Sequence, residues 1–199
     1  MVAVKLDAEK EGRALAQKYR VSGFPTVLYL DAEGAEWGRM PGFLPTDPFL
    51  EFGRGILKTA REQPALEAKL QQNPGNIALA IDLTQRFARQ GNTKKALWAA
   101  GLVTKAPQTT AAARAYVALG GMYFDNQNPV AAKPWFERAA KISTDPRDKG
   151  YAHLGLAMCA ILRQDAKVAR AELNAVLKLP NCPRGMQDKA RELLQQVPP

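Results

Sequence analysis

Cysteine and histidine are scarce in this chain of 199 residues, which holds two cysteines and one histidine. Cys159 and Cys182 lie 23 positions apart and form no C-x-x-C pattern. With His153 as the single histidine, the chain has too few of the usual ligands for a Cys/His metal site, so we expect no metal and no cofactor. The longest run of low polarity, Tyr151–Leu162, has about half the length of a membrane span, so none is expected.

The sequence motifs of common enzymes are also missing. The chain contains no G-x-G-x-x-G, no phosphate-binding G-x-x-x-x-G-K, no G-x-S-x-G and no H-E-x-x-H. We interpret His153 as a packed structural residue, because it lies at a helical packing position. Cys159 is expected to be a buried, inert thiol, and Cys182, in a turn before Pro183, is expected to be more exposed. No catalytic residue is therefore predicted, and the chain is not expected to be an enzyme.

The composition is that of a globular protein, with 46% hydrophobic and 24% charged residues. The formal net charge is +9, and residues 1–60 carry eight basic and eight acidic side chains, so the whole excess lies in residues 61–199. The basic residues are scattered and show no stripe with interleaved aromatics. The pattern therefore favours a solvated surface over a nucleic-acid site, while an acidic protein partner stays open.

Residues 1–60 alternate between strand-like and helix-like patterns. In chain order we predict a strand at Val2–Leu6, a helix at Glu9–Tyr19, strands at Val27–Leu30 and around Trp37–Met40, and a closing helix that Thr46 or Asp47 can cap. Between the last two strands, Asp31-Ala32-Glu33-Gly34 predicts a hairpin turn, in which Gly34 suits a positive φ angle.

The segments V-A-V-K-L-D, L-A-Q-K-Y-R-V-S-G-F-P-T-V-L-Y-L-D and E-G-A-E-W-G-R-M-P-G-F resemble the C-terminal half of a thioredoxin-like domain, over about residues 2–60. In that family the proline of the G-F-P-T segment is cis and the residue before it helps to bind an extended substrate. The resemblance therefore implies a substrate loop at Phe24 and Pro25, although Pro25 can also be only a turn proline. The C-x-x-C half of the family is absent before Val2, which implies a redox-inactive unit.

From residue 62 onward the composition turns rich in Ala, Leu and Gln, and an internal repeat appears. Six sets of positions recur at intervals of 36 and 37 residues in one register. Each unit then consists of a helix, a short polar turn and a second helix. The sets are Leu83/Leu119/Leu156, Ala96/Ala132/Ala169, Phe87/Tyr123/Ala160, Ala100/Phe136/Leu173, Val103/Ala139/Val176 and the turns at Gly91-Asn92, Gln127-Asn128 and Gln164-Asp165.

The spacing and the segments A-R-Q-G-N-T-K-K-A-L and L-G-G-M-Y-F-D-N-Q-N-P-V-A-A-K-P-W-F-E-R-A-A-K-I resemble tetratricopeptide (TPR) repeats. We place the repeats at about 77–110, 113–146 and 150–183, after a short helix at Ala65–Gln72 and before a cap helix at 187–197. The predicted fold class is α+β. It combines a partial thioredoxin-like α/β unit in residues 1–61 with an all-α TPR right-handed superhelix in residues 62–199.

In TPR proteins the first helix of each repeat lines a groove that binds peptides. Mapped by register, the resemblance implies a peptide-binding groove at Ile81, Gln85, Arg89, Arg114, Val117, Phe124, Leu154, Met158 and Ile161. The Lys and Asn residues that clamp a terminal carboxylate in chaperone-binding members are missing, so that partner class is not expected. An equally open alternative is that the cap helix of the chain itself covers part of the groove.

The function that we predict is protein–protein interaction, as a scaffold that binds a protein or peptide through the groove. The alternative is that the chain is the C-terminal part of a thioredoxin-family oxidoreductase or chaperone, whose C-x-x-C lies upstream of Met1. The chain as written predicts a cytoplasmic protein, and an upstream start would allow a periplasmic or secreted one. Because Val2–Leu6 and Val27–Leu30 would have bare edges, we expect a homodimer through residues 1–60. A rearrangement that places these two strands side by side is the weaker option.

Overall fold

The computed structural model describes residues 2–32 and 34–198 of the chain. The chain divides into two compact units, one that ends at Glu62 and one that begins at Gln63. The predicted domain boundary, between Arg61 and Glu62, lies one residue earlier. The two units differ in kind, because the first holds a small sheet and the second is helical throughout its regular structure.

The first unit is built around a β-hairpin. Helix α1 spans Arg13–Lys18, strand β1 spans Thr26–Leu30 and strand β2 spans Glu36–Pro41. The two strands pair antiparallel, and a bulge interrupts their register at Tyr29 and Leu30. At the predicted hairpin turn Gly34 has a φ angle of +80°, a conformation that favours glycine. Glu33 of that turn lies outside the described residues.

One face of the hairpin packs against helix α2, which spans Thr46–Gln72. The rings of Tyr29 and Phe52 lie 5.9 Å apart. Gly38 lies so close to Ile56 that a side chain at position 38 would collide with it. On the opposite face of the hairpin, the guanidinium of Arg39 donates to the carbonyl oxygens of Tyr19 and Arg20 and pairs with Glu36 at 2.7 Å. The ion pair raises the pKa of Arg39, with the hydrogen bond to Glu36 as the largest cause.

Two predictions for the first unit are wrong. Val2–Leu6 forms no strand, and the side chains of Val2 and Val4 are 88% and 72% exposed. A strand needs a hydrogen-bonded neighbour, and this segment has none among the described residues. The helix predicted at Glu9–Tyr19 is only six residues long, Arg13–Lys18. Before it, the N–H of Gly12 donates to the carbonyl of Asp7 at 2.8 Å, a turn wider than that of an α-helix.

Helix α2 also differs from prediction, because it is one helix of 27 residues. The separate helix predicted at Ala65–Gln72 is its last part, and Pro64 lies inside it. Proline removes one hydrogen bond to the carbonyl four residues earlier, yet the helix continues through this position. Gln63 is buried and exchanges two amide hydrogen bonds with Gln90, at 3.1 and 3.2 Å, and Leu70 is fully buried.

Within the described residues, the second unit contains three helical hairpins, each made of a pair of helices, and a closing helix. The pairs are α3 (Ile77–Arg89) with α4 (Thr93–Lys105), α5 (Thr110–Asp125) with α6 (Pro129–Ile142), and α7 (Pro146–Leu162) with α8 (Ala166–Lys178). Helix α9, Arg184–Gln196, starts three residues before the predicted cap helix and packs against α8 and α7.

The same turn joins the helices of each pair. Gly91, Gln127 and Gln164 all have a positive φ angle, between 57° and 68°. The residue after each one donates its N–H to the carbonyl five positions earlier, which is the Schellman arrangement. That following residue also caps the next helix with its side chain, at Asn92, Asn128 and Asp165. The repeat that the sequence showed at these positions is therefore a repeated turn in the structure.

The core of this unit holds most of the other repeated positions. Leu83, Leu119 and Leu156 are buried, as are Ala96, Ala132 and Ala169. The alanines allow the two helices of each pair to approach closely, and the leucines fill the space between neighbouring helices. The mostly helical structure and its hairpins are thus as predicted at this coarse level.

Candidate peptide-binding face

The nine predicted groove residues all lie on helices α3, α5 and α7, the first helices of the three pairs. These helices pack side by side, α3 on α5 and α5 on α7. The residues differ in accessibility, however. Arg89 and Arg114 are exposed, Gln85 and Met158 are half-buried, and the apolar residues contribute to the core. Ile81 and Val117 pack partly against the main core, and Phe124 packs against the cluster around Phe136.

Arg114 is bound by acidic residues of the next pair. Its Nε donates to Asp148 Oδ2 at 2.9 Å, and Asp145 lies 4.0 Å away. The hydrogen bond to Asp148 raises the pKa of Arg114, followed by the attraction of the two carboxylates. Hydrogen bonds from the backbone N–H of Asp148 and Arg147, with smaller attractions to Arg114 and Arg147, lower the pKa of Asp145. Arg114 therefore forms a salt bridge between α5 and α7, and its charge is not free to bind a ligand.

Helix α9 packs against Leu154, one of the predicted groove residues. Leu154 is 9% exposed and belongs to a core cluster with Met186, Ala190 and Val197. Ile161 is half-buried against the same cluster. Leu154 is therefore partly covered by the closing helix of its own chain, and Ile161 packs against the core cluster that α8 and α9 share.

The coverage by α9 is incomplete and leaves a cleft of about 470 Å³ between α7 and the start of α9. Its lining combines apolar groups with two cations. Tyr151 is 45% exposed, and Arg147 and Lys189 carry the positive charge. The lining residues are Arg147, Tyr151, Leu154, Pro183, Gly185, Met186 and Lys189.

Most of this cleft was not predicted from the sequence. Tyr151 and Leu154 lie on a first helix and follow from the repeat register. Arg147 precedes the predicted third repeat, and Lys189 lies on a helix that the sequence identifies only as a cap. Arg147 and Lys189 come close together only because α9 packs against α7, and no local sequence pattern predicts that packing. Chemically, a cleft with an apolar floor and a cationic rim can hold an apolar side chain beside a carboxylate.

The remaining chemistry-bearing residues are packed. Burial raises the pKa of Cys159 to about 11 and also raises the pKa of Cys182. The expected exposure of Cys182 is wrong: its side chain is 7% exposed, near Gly150 and Met186. His153 Nδ1 lies 2.7 Å from Glu172 Oε2 and is partly buried, as a structural histidine would be.

The predicted loop of the first unit has the expected backbone. The Phe24–Pro25 peptide bond is cis. The Thr26 hydroxyl donates to the carbonyl of Gly23 at 2.7 Å, and the carbonyl of Pro25 accepts from the N–H of Gly42 at 2.7 Å. The side chain of Phe24 is 65% exposed. The structure thus presents an exposed aromatic residue two positions before β1 begins.

Residues 2–54 match the family model of the thioredoxin-like domain. The match covers α1, the hairpin and the first turns of α2, and it supports a thioredoxin-like domain at this end of the chain. No curated protein and no solved structure matches the chain. Within the described residues, no group of three His, Cys, Asp or Glu side chains is arranged to hold a metal ion. None of the described helices has both the length and the apolar character that crossing a membrane requires.

Proposed function

We propose that this chain is a protein-interaction protein that binds a partner through its TPR-like helical repeats, with a thioredoxin-like unit that is redox-inactive. The observation that carries the proposal is the cleft between α7 and α9, which joins an apolar floor to the cations Arg147 and Lys189. The three helical pairs support it, because stacked helical hairpins leave the first-helix faces available to ligands.

The chemistry of the cleft favours a peptide that carries an apolar side chain next to an acidic one. Tyr151, Leu154 and Met186 supply the apolar surface. Arg147 forms no side-chain ion pair with any described residue, although its charge attracts Asp145. Lys189 already contacts Glu192 at 2.9 Å and contributes less. The net charge of +9 adds a long-range attraction for acidic partners.

Fluorescence anisotropy with two labelled peptides tests this proposal. One peptide repeats Leu-Glu-Glu-Leu and the other repeats Leu-Lys-Lys-Leu, so that they differ only in the sign of charge. We expect the acidic peptide to bind and the basic one to bind at least about tenfold more weakly, since a charge-assisted contact contributes more than 1.4 kcal/mol. Equal binding of the two peptides would contradict the proposal.

Two variants locate the binding site. Arg147→Glu reverses the charge at the cleft and should weaken binding of the acidic peptide by more than about tenfold. Arg54→Glu, at an exposed position of α2, is the matched control, because it changes the net charge equally and lies in the other unit. If both variants weaken binding to the same extent, the attraction is only a property of the net charge and the cleft is not the site.

The match of residues 2–54 to a thioredoxin-like domain favours a second candidate, a part of a thiol–disulfide oxidoreductase or chaperone. For that role the chain would have to act with a C-x-x-C that its own residues do not supply. An assay of disulfide reduction separates the two candidates, because only an oxidoreductase would turn over a disulfide substrate.

A further inference from the structure

The second helices of the three pairs, α4, α6 and α8, carry most of the positive charge of these pairs. They hold nine basic and two acidic residues, whereas the first helices, α3, α5 and α7, hold five and three. Both acidic residues of the second helices are already bound. Glu137 pairs with Lys133 at 3.5 Å, and Glu172 contacts His153 at 2.7 Å. The second helices therefore present a surplus of cations to the solvent.

Lysines recur on the outward side of these helices. Lys105, Lys141 and Lys178 occupy the same place, each thirteen residues after the cap residue of its helix, and all three are exposed. Lys94 and Lys167 are each the second residue of their helix and are exposed as well. Eleven positions separate the two lysines of α4 and those of α8, which is about three helical turns. Both lysines of a helix therefore lie on one side, and the five together define the basic face of the second unit.

Helix stability explains only part of this arrangement. The helix dipole stabilises a cation in the last turn, which accounts for Lys105, Lys141 and Lys178. The same dipole opposes a cation in the first turn, where Lys94 and Lys167 lie. Neither of these two lysines forms an ion pair with a described residue. Their position costs helix stability, which indicates a role in binding.

Exposed apolar side chains lie among the lysines of the basic face. Trp98 follows Lys94 by one helical turn and is 37% exposed, with the exposed Leu97 beside it. Val130 is the second residue of α6, the place that a lysine has in α4 and α8, and it is 68% exposed. Cations with interspersed Trp, Leu and Val are typical of protein surfaces that lie in the head-group region of an anionic bilayer.

We propose that the basic face binds the surface of a membrane that contains anionic lipids. The lysines contact the charged lipid head groups, and Trp98 and Val130 enter the head-group region. This proposal does not depend on the proposed function, because the cations of the cleft, Arg147 and Lys189, lie on α7 and α9.

Two features of the basic face favour a lipid surface over other anionic partners. Nucleic acid is less suitable, because aliphatic side chains such as Leu97 and Val130 neither stack on bases nor form hydrogen bonds with them. A single acidic peptide is also less suitable, because the lysines are spread over three helices and are not gathered in one pocket. A bilayer offers a continuous layer of negative charge with apolar material beneath it, which matches both features.

Flotation of the full chain with lipid vesicles tests the proposal. Vesicles of equal parts phosphatidylcholine and phosphatidylserine should carry the chain, whereas vesicles of phosphatidylcholine alone should not, because they have no net charge. The triple variant Lys105→Gln, Lys141→Gln, Lys178→Gln should bind the anionic vesicles about 100-fold more weakly, since each lysine near an anionic surface contributes about fivefold. These side chains are exposed, and circular dichroism verifies that the helices are retained.

The matched control is the triple variant Arg54→Gln, Lys58→Gln, Lys69→Gln. These exposed residues of α2 change the net charge by the same amount. We expect this control to bind within about threefold of the natural chain, because charges that do not touch the membrane are largely screened. Equal losses in the two variants overturn the proposal, since binding would then follow the net charge alone. No binding to anionic vesicles also overturns it, and so does tighter binding to a DNA duplex of equal phosphate content.

A polarity-sensitive fluorophore tests the contact of the apolar side chains without any loss of lysines. Attached to Val130→Cys, it should shift its emission to shorter wavelength when anionic vesicles are added. Attached to Ala78→Cys, an exposed position on the first helix α3, it should not shift. The introduced thiol is labelled selectively, because Cys159 and Cys182 are buried. No shift at position 130, or equal shifts at both positions, overturns the proposed contact.

Discussion

The ring of Phe136 lies between two glycines of neighbouring helices. A Cβ atom at Gly120 or at Gly155 would lie 2.6 or 2.5 Å from this ring, too close for any real contact. Phe136 itself is 5% exposed, so it cannot move into solvent without emptying the core. The close approach of α5 and α7 to α6 therefore depends on the two glycines.

We predict that Gly155→Ala lowers the free energy of unfolding of the helical unit by about 1–3 kcal/mol, the usual cost of overpacking a core. Gly121→Ala is the matched control, because its Cβ would meet no atom within 4 Å. That control should stabilise helix α5 by about 0.5–1 kcal/mol through its higher helix propensity. Urea titration followed by circular dichroism at 222 nm measures both, and a stabilising Gly155→Ala would contradict the packing described.

The two cysteines should react slowly in the folded protein. Burial raises the pKa of Cys159 to about 11, so at pH 8 about one molecule in a thousand carries its thiolate, the reactive form. We predict that the rate of Cys159 alkylation rises about tenfold per pH unit from 7 to 10, because the thiolate fraction does so below the pKa. Mass spectrometry after iodoacetamide treatment measures the rate, and the unfolded chain in guanidinium is the fast control.

At the scale of single elements, the repeated turn between paired helices combines a left-handed residue with a capping side chain. Gly91 adopts this conformation freely, whereas Gln127 and Gln164 do so against their preference, with φ angles of 57° and 58°. The three turns therefore share one backbone conformation and differ in the side chain at the left-handed position. Exchanging that side chain measures the cost of the conformation.

We predict that Gln164→Gly raises the free energy of unfolding of the helical unit by about 1 kcal/mol, because glycine removes the steric cost of the left-handed conformation. Gly91→Gln should have the opposite effect of similar size. Urea denaturation of the two variants measures both changes. A destabilised Gln164→Gly protein would show that the Gln164 side chain contributes more than its backbone conformation costs.

The capping side chains can be tested separately. Asp165 accepts a hydrogen bond from the N–H of Val168 at 3.0 Å, and Asn128 accepts one from Ala131 at the same distance. We predict that Asp165→Ala costs about 0.5–2 kcal/mol of unfolding free energy, as for other N-cap residues. Asp165→Asn keeps the acceptor and serves as the control, with a change below about 0.5 kcal/mol. Equal losses in the two variants would assign the effect to charge instead of capping.

At the scale of the whole molecule, the reactivity of the cysteine thiols separates the two candidate functions. Disulfide exchange needs a thiolate of low pKa and a second thiol beside it. Both cysteines of this chain are buried and have raised pKa values. We predict that the full chain reduces insulin no faster than dithiothreitol alone, with a C-x-x-C reductase as the positive control. Turnover that is lost in the Cys159→Ser, Cys182→Ser double variant would contradict the proposed function and support an oxidoreductase.

The elements that the sequence predicted well are those whose signal is local and repeated. The recurrence of Leu83, Leu119 and Leu156 located one buried face, and Asn92, Asn128 and Asp165 located the turns, because a residue's role in a helical hairpin depends on its near neighbours. The hairpin at Gly34 followed from turn chemistry in the same way.

Predictions failed where an element depends on distant partners. An apolar segment such as Val2–Leu6 becomes a strand only beside another strand, and none of the described residues supplies one. The helix at Ala65–Gln72 was predicted as a separate one, but a single helix runs through Pro64, next to the buried hydrogen-bonded pair of Gln63 and Gln90. Cys182 was expected to be exposed because it lies in a turn before Pro183, but it belongs to a core cluster to which α7, α8 and α9 all contribute.

The sequence by itself determined the two-part organisation of these residues, their helical repeat and their lack of a C-x-x-C motif, because composition, periodicity and motif content are local properties of the chain. Only the tertiary structure decided that α9 covers Leu154, that Arg114 is bound to Asp148, and that Arg147 and Lys189 share a cleft with Tyr151. These features join residues that are up to 42 positions apart, and their contact follows from how whole helices pack, which no sequence pattern specifies.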